Sequence, residues 1–154
     1  MEFSEFLQPQ AIAVDLQPHT KAEAIDAMVD LLARSPVVTD RQQLLVAILE
    51  REGTMSTGIG NGVAIPHGKS DGVTAVAAAI GLVKKGVDFD ALDGQRVYIL
   101  VLLAAPPGPA GPHIRALGRV SRLVNQAAFR KALLECESSE AIRALIAAEE
   151  KRLG

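Results

Sequence analysis

The stretch from Val97 to Leu103, VYILVLL, is apolar almost without a break. A strand with one wet face alternates apolar and polar residues, whereas a run of this kind belongs to a strand covered on both sides. It predicts an α/β fold in which helices flank the sheet. The run ends at Ala105, well short of the roughly 20 apolar residues a membrane-spanning helix requires. With 154 residues the chain can close one core and is too short for two ordinary domains, so residues 1–154 are read as a single domain.

Helical and extended patterns alternate around this strand. Ala11 to Leu16 reads as a short strand, and Thr20 with Glu23 forms a capping box that opens a helix burying Ile25, Met28, Val29 and Leu32. Thr39 or Asp40 caps a second helix, with Leu44, Leu45, Ile48 and Leu49 at helical spacing and an end near Arg51. Val63 to Ile65 suits a short strand, Val73 to Val83 a buried one, and Gly86 to Gly94 a loop. The segment Pro106 to Pro112 is a loop within the domain, followed by two helices. The first carries Ile114, Leu117, Ser121 and Val124 on one stripe, the last Ile142, Leu145 and Ile146. The order of strands in the sheet stays open.

Charge and composition remove several function classes. A net charge of -2 and an aromatic share of 3% offer neither the basic face nor the stacking platforms of a nucleic-acid binder. The opening MEFSEFLQPQ has no basic residue ahead of an apolar run, so no secretory signal is read and a soluble, cytoplasmic protein without membrane insertion is expected. The single cysteine, Cys136, excludes an internal disulfide and a cysteine-based zinc site, and reads as a small apolar residue on a late helix.

Chemistry concentrates between Gly53 and Gly68, GTMSTGIGNGVAIPHG. Ser56, Thr57, Gly58, Gly60 and Gly62 offer hydroxyls and unshielded backbone N–H groups, the natural donors to a phosphate. The spacing is neither the dinucleotide fingerprint nor a P-loop, so no nucleotide is expected. His67 stands between Pro66, which restricts the backbone, and Gly68, which lets another surface approach. A neutral imidazole so presented is a competent nucleophile toward phosphorus, and equally an ordinary turn histidine. His113 follows Gly111 and Pro112 at a helix start, where it is either a cap or a neighbour to an anion at the positive end of the helix. Arg51, at a helix C-terminus, is either placed there by the helix dipole or clamps an anion with its planar fork. His19 reads as a surface residue. Asp88, Asp90 and Asp93 lack the glycine-centred loop and closing Glu of a calcium site, and a metal held by His67 and His113 would want a third ligand. Neither metal nor cofactor is expected.

STGIGNGVAIPHG, from Ser56 to Gly68, resembles the signature of enzyme IIA domains of the fructose and mannitol type, components of the bacterial phosphotransferase system. The resemblance extends to Arg51 and Glu52, to DFDALDGQ from Asp88 to Gln95, and to His113 with Ile114, Ala116 and Leu117. Lys21, Glu23, Ala24 and Ile25 are similar to the family's first helix. It implies a mixed β-sheet flanked by helices on both faces, and a phosphocarrier in which the histidine phosphocarrier HPr phosphorylates His67, which then passes the group to a cysteine of enzyme IIB in sugar uptake. The alternative is the nitrogen-regulatory branch, in which phosphorylation controls binding to partner proteins. By the same resemblance His113 and Arg51 adjoin the phosphoryl group, and the transfer needs no metal. Ser56 or Thr57, with the N–H groups of Gly58 and Gly60, would then stabilise its charge. Arg96, where the family more often has proline, and the PPGPAGP stretch before His113 flank the expected partner face.

Overall fold

The structure is a computed structural model that describes residues 2–154. A short helix α1 (Phe3–Phe6) precedes strand β1 (Leu7–Ala13), and helices α2 (Lys21–Leu32) and α3 (Arg41–Thr54) follow. Three short strands come next, β2 (Gly58–Gly60), β3 (Val63–Ala64) and β4 (His67–Lys69), then two long ones, β5 (Ala77–Val87) and β6 (Val97–Ala105). Helices α4 (Gly111–Val124), α5 (Ala127–Leu134) and α6 (Ser139–Leu153) close the chain. The sheet is mixed, with order β1-β5-β6-β3-β2 and β4 also paired to β6.

Strand β6 is buried on both faces, as its unbroken apolar sequence predicts. Ile99, Val101 and Leu103 join a core with α1, α4, α5 and α6, including Phe3, Val120 and Ile142. Leu100, Leu102 and Ala104 face the other way, into a core with Ile25, Met28, Leu32, Leu44 and Ile48 of α2 and α3. Each fully buried aliphatic side chain here stabilises the fold by about 1.5–3 kcal/mol relative to exposure. The capping box forms: Thr20 Oγ1 accepts from Glu23 N (3.1 Å), while the Glu23 carboxylate reaches back to His19 N (3.3 Å).

Several element boundaries differ from expectation, each for a tertiary reason. The first strand starts at Leu7 rather than Ala11, because at the sheet edge Pro9 removes no needed donor. Val73 lies before β5 and bridges Val38 instead, and β5 runs on to Val87 through a register shift after Leu82. Three helices rather than two complete the chain, with Cys136 beyond the end of α5 and packed against the first core. The buried stripe of α4 is Ala116, Val120, Leu123 and Val124; Ile114 is 61% exposed. Leu49 of α3 also faces outward at 43%. Among the described residues, no helix is long and apolar enough to cross a membrane.

Candidate functional site

Helix α3 delivers Arg51 in its last turn, where Arg51 Nη1 donates to the carbonyl of Met55 (3.0 Å) just past the helix end. The chain then forms a β2–β3 hairpin whose two-residue turn, Asn61-Gly62, has φ of 57° and 76°. Both values lie in the left-handed region, where Asn and Gly carry little penalty. Asn-Gly was therefore the available sequence signal for a hairpin that periodicity did not predict.

Beyond β3 the chain runs parallel to β6, with Val63 opposite Ile99 and, after Pro66, His67 opposite Leu103. Leu103 N donates to the Pro66 carbonyl (3.0 Å), pinning the residue before His67. His67 thus opens strand β4. Gly68 is needed for close packing: a Cβ there would lie 3.3 Å from the Ala47 carbonyl carbon and oxygen of α3.

The ring of His67 is partly buried, and its Nδ1 lies 2.8 Å from the Ile65 carbonyl oxygen. A carbonyl can only accept, so Nδ1 carries the proton; in the neutral ring the lone pair is on Nε2. His113, in the first turn of α4, brings its ring centroid within 5.6 Å of that of His67, with 47° between planes. Burial, then the nearby His67 and Lys69, hold the His113 pKa below the ordinary histidine value. Its Nδ1 is buried without a hydrogen-bond partner. Lys69, two residues along β4, anchors the loop leading to His113 by donating from Nζ to the Gly108 carbonyl (3.0 Å).

Three of the expected donors, Ser56 Oγ, Thr57 and Gly58 N, have other partners. Ser56 Oγ donates to the Phe89 carbonyl (2.9 Å) and accepts from Gly58 N (3.1 Å). Thr57 donates to Glu52 twice, from N (2.7 Å) and from Oγ1 (2.5 Å), and is only 4% exposed. A Cβ on Gly60 would lie 3.3 Å from an oxygen of Asp93, a carboxylate that also accepts from Asn61 N (3.1 Å). An anion approaching Gly60 would meet that charge. The structure thus joins His67 to His113 and makes the Ser56–Gly60 segment a framework tied to Glu52, Phe89 and Asp93. Residue types alone did not single out Glu52 or Lys69 as members of this neighbourhood.

Asp88 and Asp93 close their own loop, accepting from Asp90 N (3.1 Å) and Gln95 N (3.0 Å). Among the described residues, no three His, Cys, Asp or Glu side chains gather as a metal site. His19 is exposed and lines a separate depression with Lys85 and Arg96. A larger depression of about 620 Å³, between α2 and α3, holds neither histidine of the pair. Next to His113 in sequence, Ile114 is 61% exposed, and Met55, whose carbonyl accepts from Arg51, is 59% exposed. Such a surface suits a protein partner better than an enclosed small molecule.

Residues 5–149 match the family model described as phosphoenolpyruvate-dependent sugar phosphotransferase system, EIIA 2. The chain is 40% identical over 151 residues to the fructose-specific EIIABC component of Bacillus subtilis, covering 98% of this chain and 24% of that protein. It is 35% identical to the fructose-specific EIIA component of Haloferax volcanii, covering 90% of each. So it spans about a quarter of the first relative and nearly all of the second. Among solved structures it is similar to nitrogen regulatory protein IIA-Ntr from Neisseria meningitidis, with a TM-score of 0.84, 30% identity, and coverage of 93% and 97% of the two chains.

Proposed function

Because this chain belongs to the EIIA 2 family of the phosphoenolpyruvate-dependent sugar phosphotransferase system, we propose that His67 is its phosphorylated residue and that Nε2 is the attacking atom. The observation carrying this reading is the hydrogen bond from His67 Nδ1 to the Ile65 carbonyl, which leaves Nε2 of the neutral ring with its lone pair. Nε2 attacks the phosphorus of a phosphohistidine on an HPr-type donor; the new N–P bond forms as the donor's N–P bond breaks. In the second half-reaction a nucleophile, the cysteine thiolate of an enzyme IIB, attacks the same phosphorus and His67 leaves.

Such transfer depends on alignment and charge stabilisation rather than on acid or base chemistry. Neutral His113 donates from Nε2 to a phosphoryl oxygen, and its tilt beside His67 supports that role. Arg51 uses one of its N–H groups on Met55, leaving the rest of its fork for phosphoryl oxygens. The exposed Ile114 and Met55 supply the apolar contact for both partners in turn.

Incubation with phosphoenolpyruvate, enzyme I and HPr should label the protein, and His67→Ala should abolish the label. Undiminished labelling of that variant would overturn the assignment. The likeness to IIA-Ntr favours a second reading, in which phosphorylation of the same residue governs binding of a regulatory partner. Transfer of label onward to an enzyme IIB cysteine supports the transport reading; stable phosphoprotein with altered partner binding supports the regulatory one.

A further inference from the structure

We propose that Glu52 is a positioning residue for His67, holding its imidazole in the nucleophilic tautomer through the Thr57 and Ile65 backbones. The inference rests on the phosphocarrier reading above and assigns Glu52 a part in it.

Glu52 sits in the last turns of α3, beside Arg51, and is only 6% exposed. Its carboxylate accepts from three donors: Thr57 N at 2.7 Å, Thr57 Oγ1 at 2.5 Å and Lys21 Nζ at 2.9 Å. A carboxylate removed from water requires such partners, and they in turn are fixed by it. Lys21 arrives from the first turn of α2 and is held over the Phe89 ring, 5.0 Å from its centroid.

From Thr57 the hydrogen bonds run on toward the site. The Thr57 carbonyl accepts from Ile65 N at 3.0 Å, and the Ile65 carbonyl accepts from His67 Nδ1 at 2.8 Å. Pro66, between them, has no N–H of its own, and its carbonyl is taken by Leu103 N. The orientation of the Ile65 carbonyl therefore depends on the Thr57 contact on one side and on β6 on the other. If Thr57 loosens, that carbonyl is freed to turn, the preference for a proton on Nδ1 falls, and the tautomer with the proton on Nε2 gains population. That tautomer cannot attack from Nε2. In Glu52→Gln one acceptor becomes a donor facing donors already in place.

The test uses the full chain, labelled with nitrogen-15, and reads the imidazole nitrogens of His67 by two-bond proton–nitrogen spectra in mildly alkaline solution. The parent should show Nδ1 protonated and Nε2 bare. Glu52→Gln should show a mixture of tautomers and a kcat for phosphorylation by phospho-HPr lower by roughly tenfold or more, with an unchanged KM for HPr. A folded Glu52→Gln protein with a single Nδ1-protonated tautomer and a rate within about twofold of the parent overturns the proposal. If Glu52→Gln does not fold, Lys21→Met and Thr57→Val provide the same readout, and an unshifted tautomer in both overturns it. The nitrogen spectra need no phosphoryl donor, so a parent protein that is never labelled refutes the phosphocarrier reading while the tautomer result still decides the role of Glu52.

Discussion

The rings of His67 and His113 approach to 5.6 Å between centroids, the first at the start of β4 and the second in the first turn of α4. His67 is protonated on the nitrogen turned to the Ile65 carbonyl, whereas the buried Nδ1 of His113 has no hydrogen-bond partner.

His113 should make stability depend on pH. Its folded-state pKa lies below the ordinary histidine value of 6.5, first because of burial and then through His67 and Lys69. The unfolded chain therefore binds that proton more tightly, and stability falls as pH drops from about 6.5 through the lower folded-state pKa, with no contribution well above it. Thermal melts across this range should show a steeper loss for the parent than for His113→Gln.

Phosphorylation of His67 should reverse the direction of that shift. The new group brings about 1.5 to 2 negative charges next to His113 and favours its protonated form. Titration of His113 by NMR should move upward on phosphorylation, and a titration curve unchanged by it would separate the two rings functionally.

Gly68→Ala should weaken both the fold and the site. Its Cβ would press on the Ala47 backbone at 3.3 Å and on Ile48 Cδ1 at 3.3 Å, and a helix backbone cannot yield as a flexible side chain can. A loss of about 1–3 kcal/mol is expected in urea unfolding, with slower phosphorylation because the displaced strand carries His67.

Gly62→Ala should destabilise the hairpin. At φ of +76° an alanine adds about 1–2 kcal/mol of backbone strain, and its Cβ meets Tyr98 Cδ1 at 3.3 Å. Asn61→Gly keeps the turn and should shift thermal unfolding little by comparison.

Glu150→Gln should loosen the N-terminal helix. The Glu150 carboxylate, 6% exposed on α6, accepts from Phe3 N (2.5 Å) and Ser4 N (3.1 Å), capping α1 from the far end of the chain. About 1–3 kcal/mol of stability should be lost, with amide exchange at Phe3 and Ser4 accelerated ahead of the sheet.

By itself the sequence determined what short-range chemistry controls. The two-faced burial of β6 follows from the VYILVLL run, the start of α2 from Thr20 and Glu23, and the core face of that helix from Ile25, Met28, Val29 and Leu32. These signals act within a turn of helix or a few strand residues, so no distant partner is needed to read them. Only the tertiary structure decided which donors are free. Ser56 and Thr57 looked equally suited to an anion, yet Ser56 binds the Phe89 carbonyl and Thr57 the Glu52 carboxylate. The outward turn of Ile114 and the meeting of His67 with His113 likewise depend on where α4 docks against β6. A side chain's type states what it can donate or accept; the chain brought against it by folding determines whether that capacity is still available.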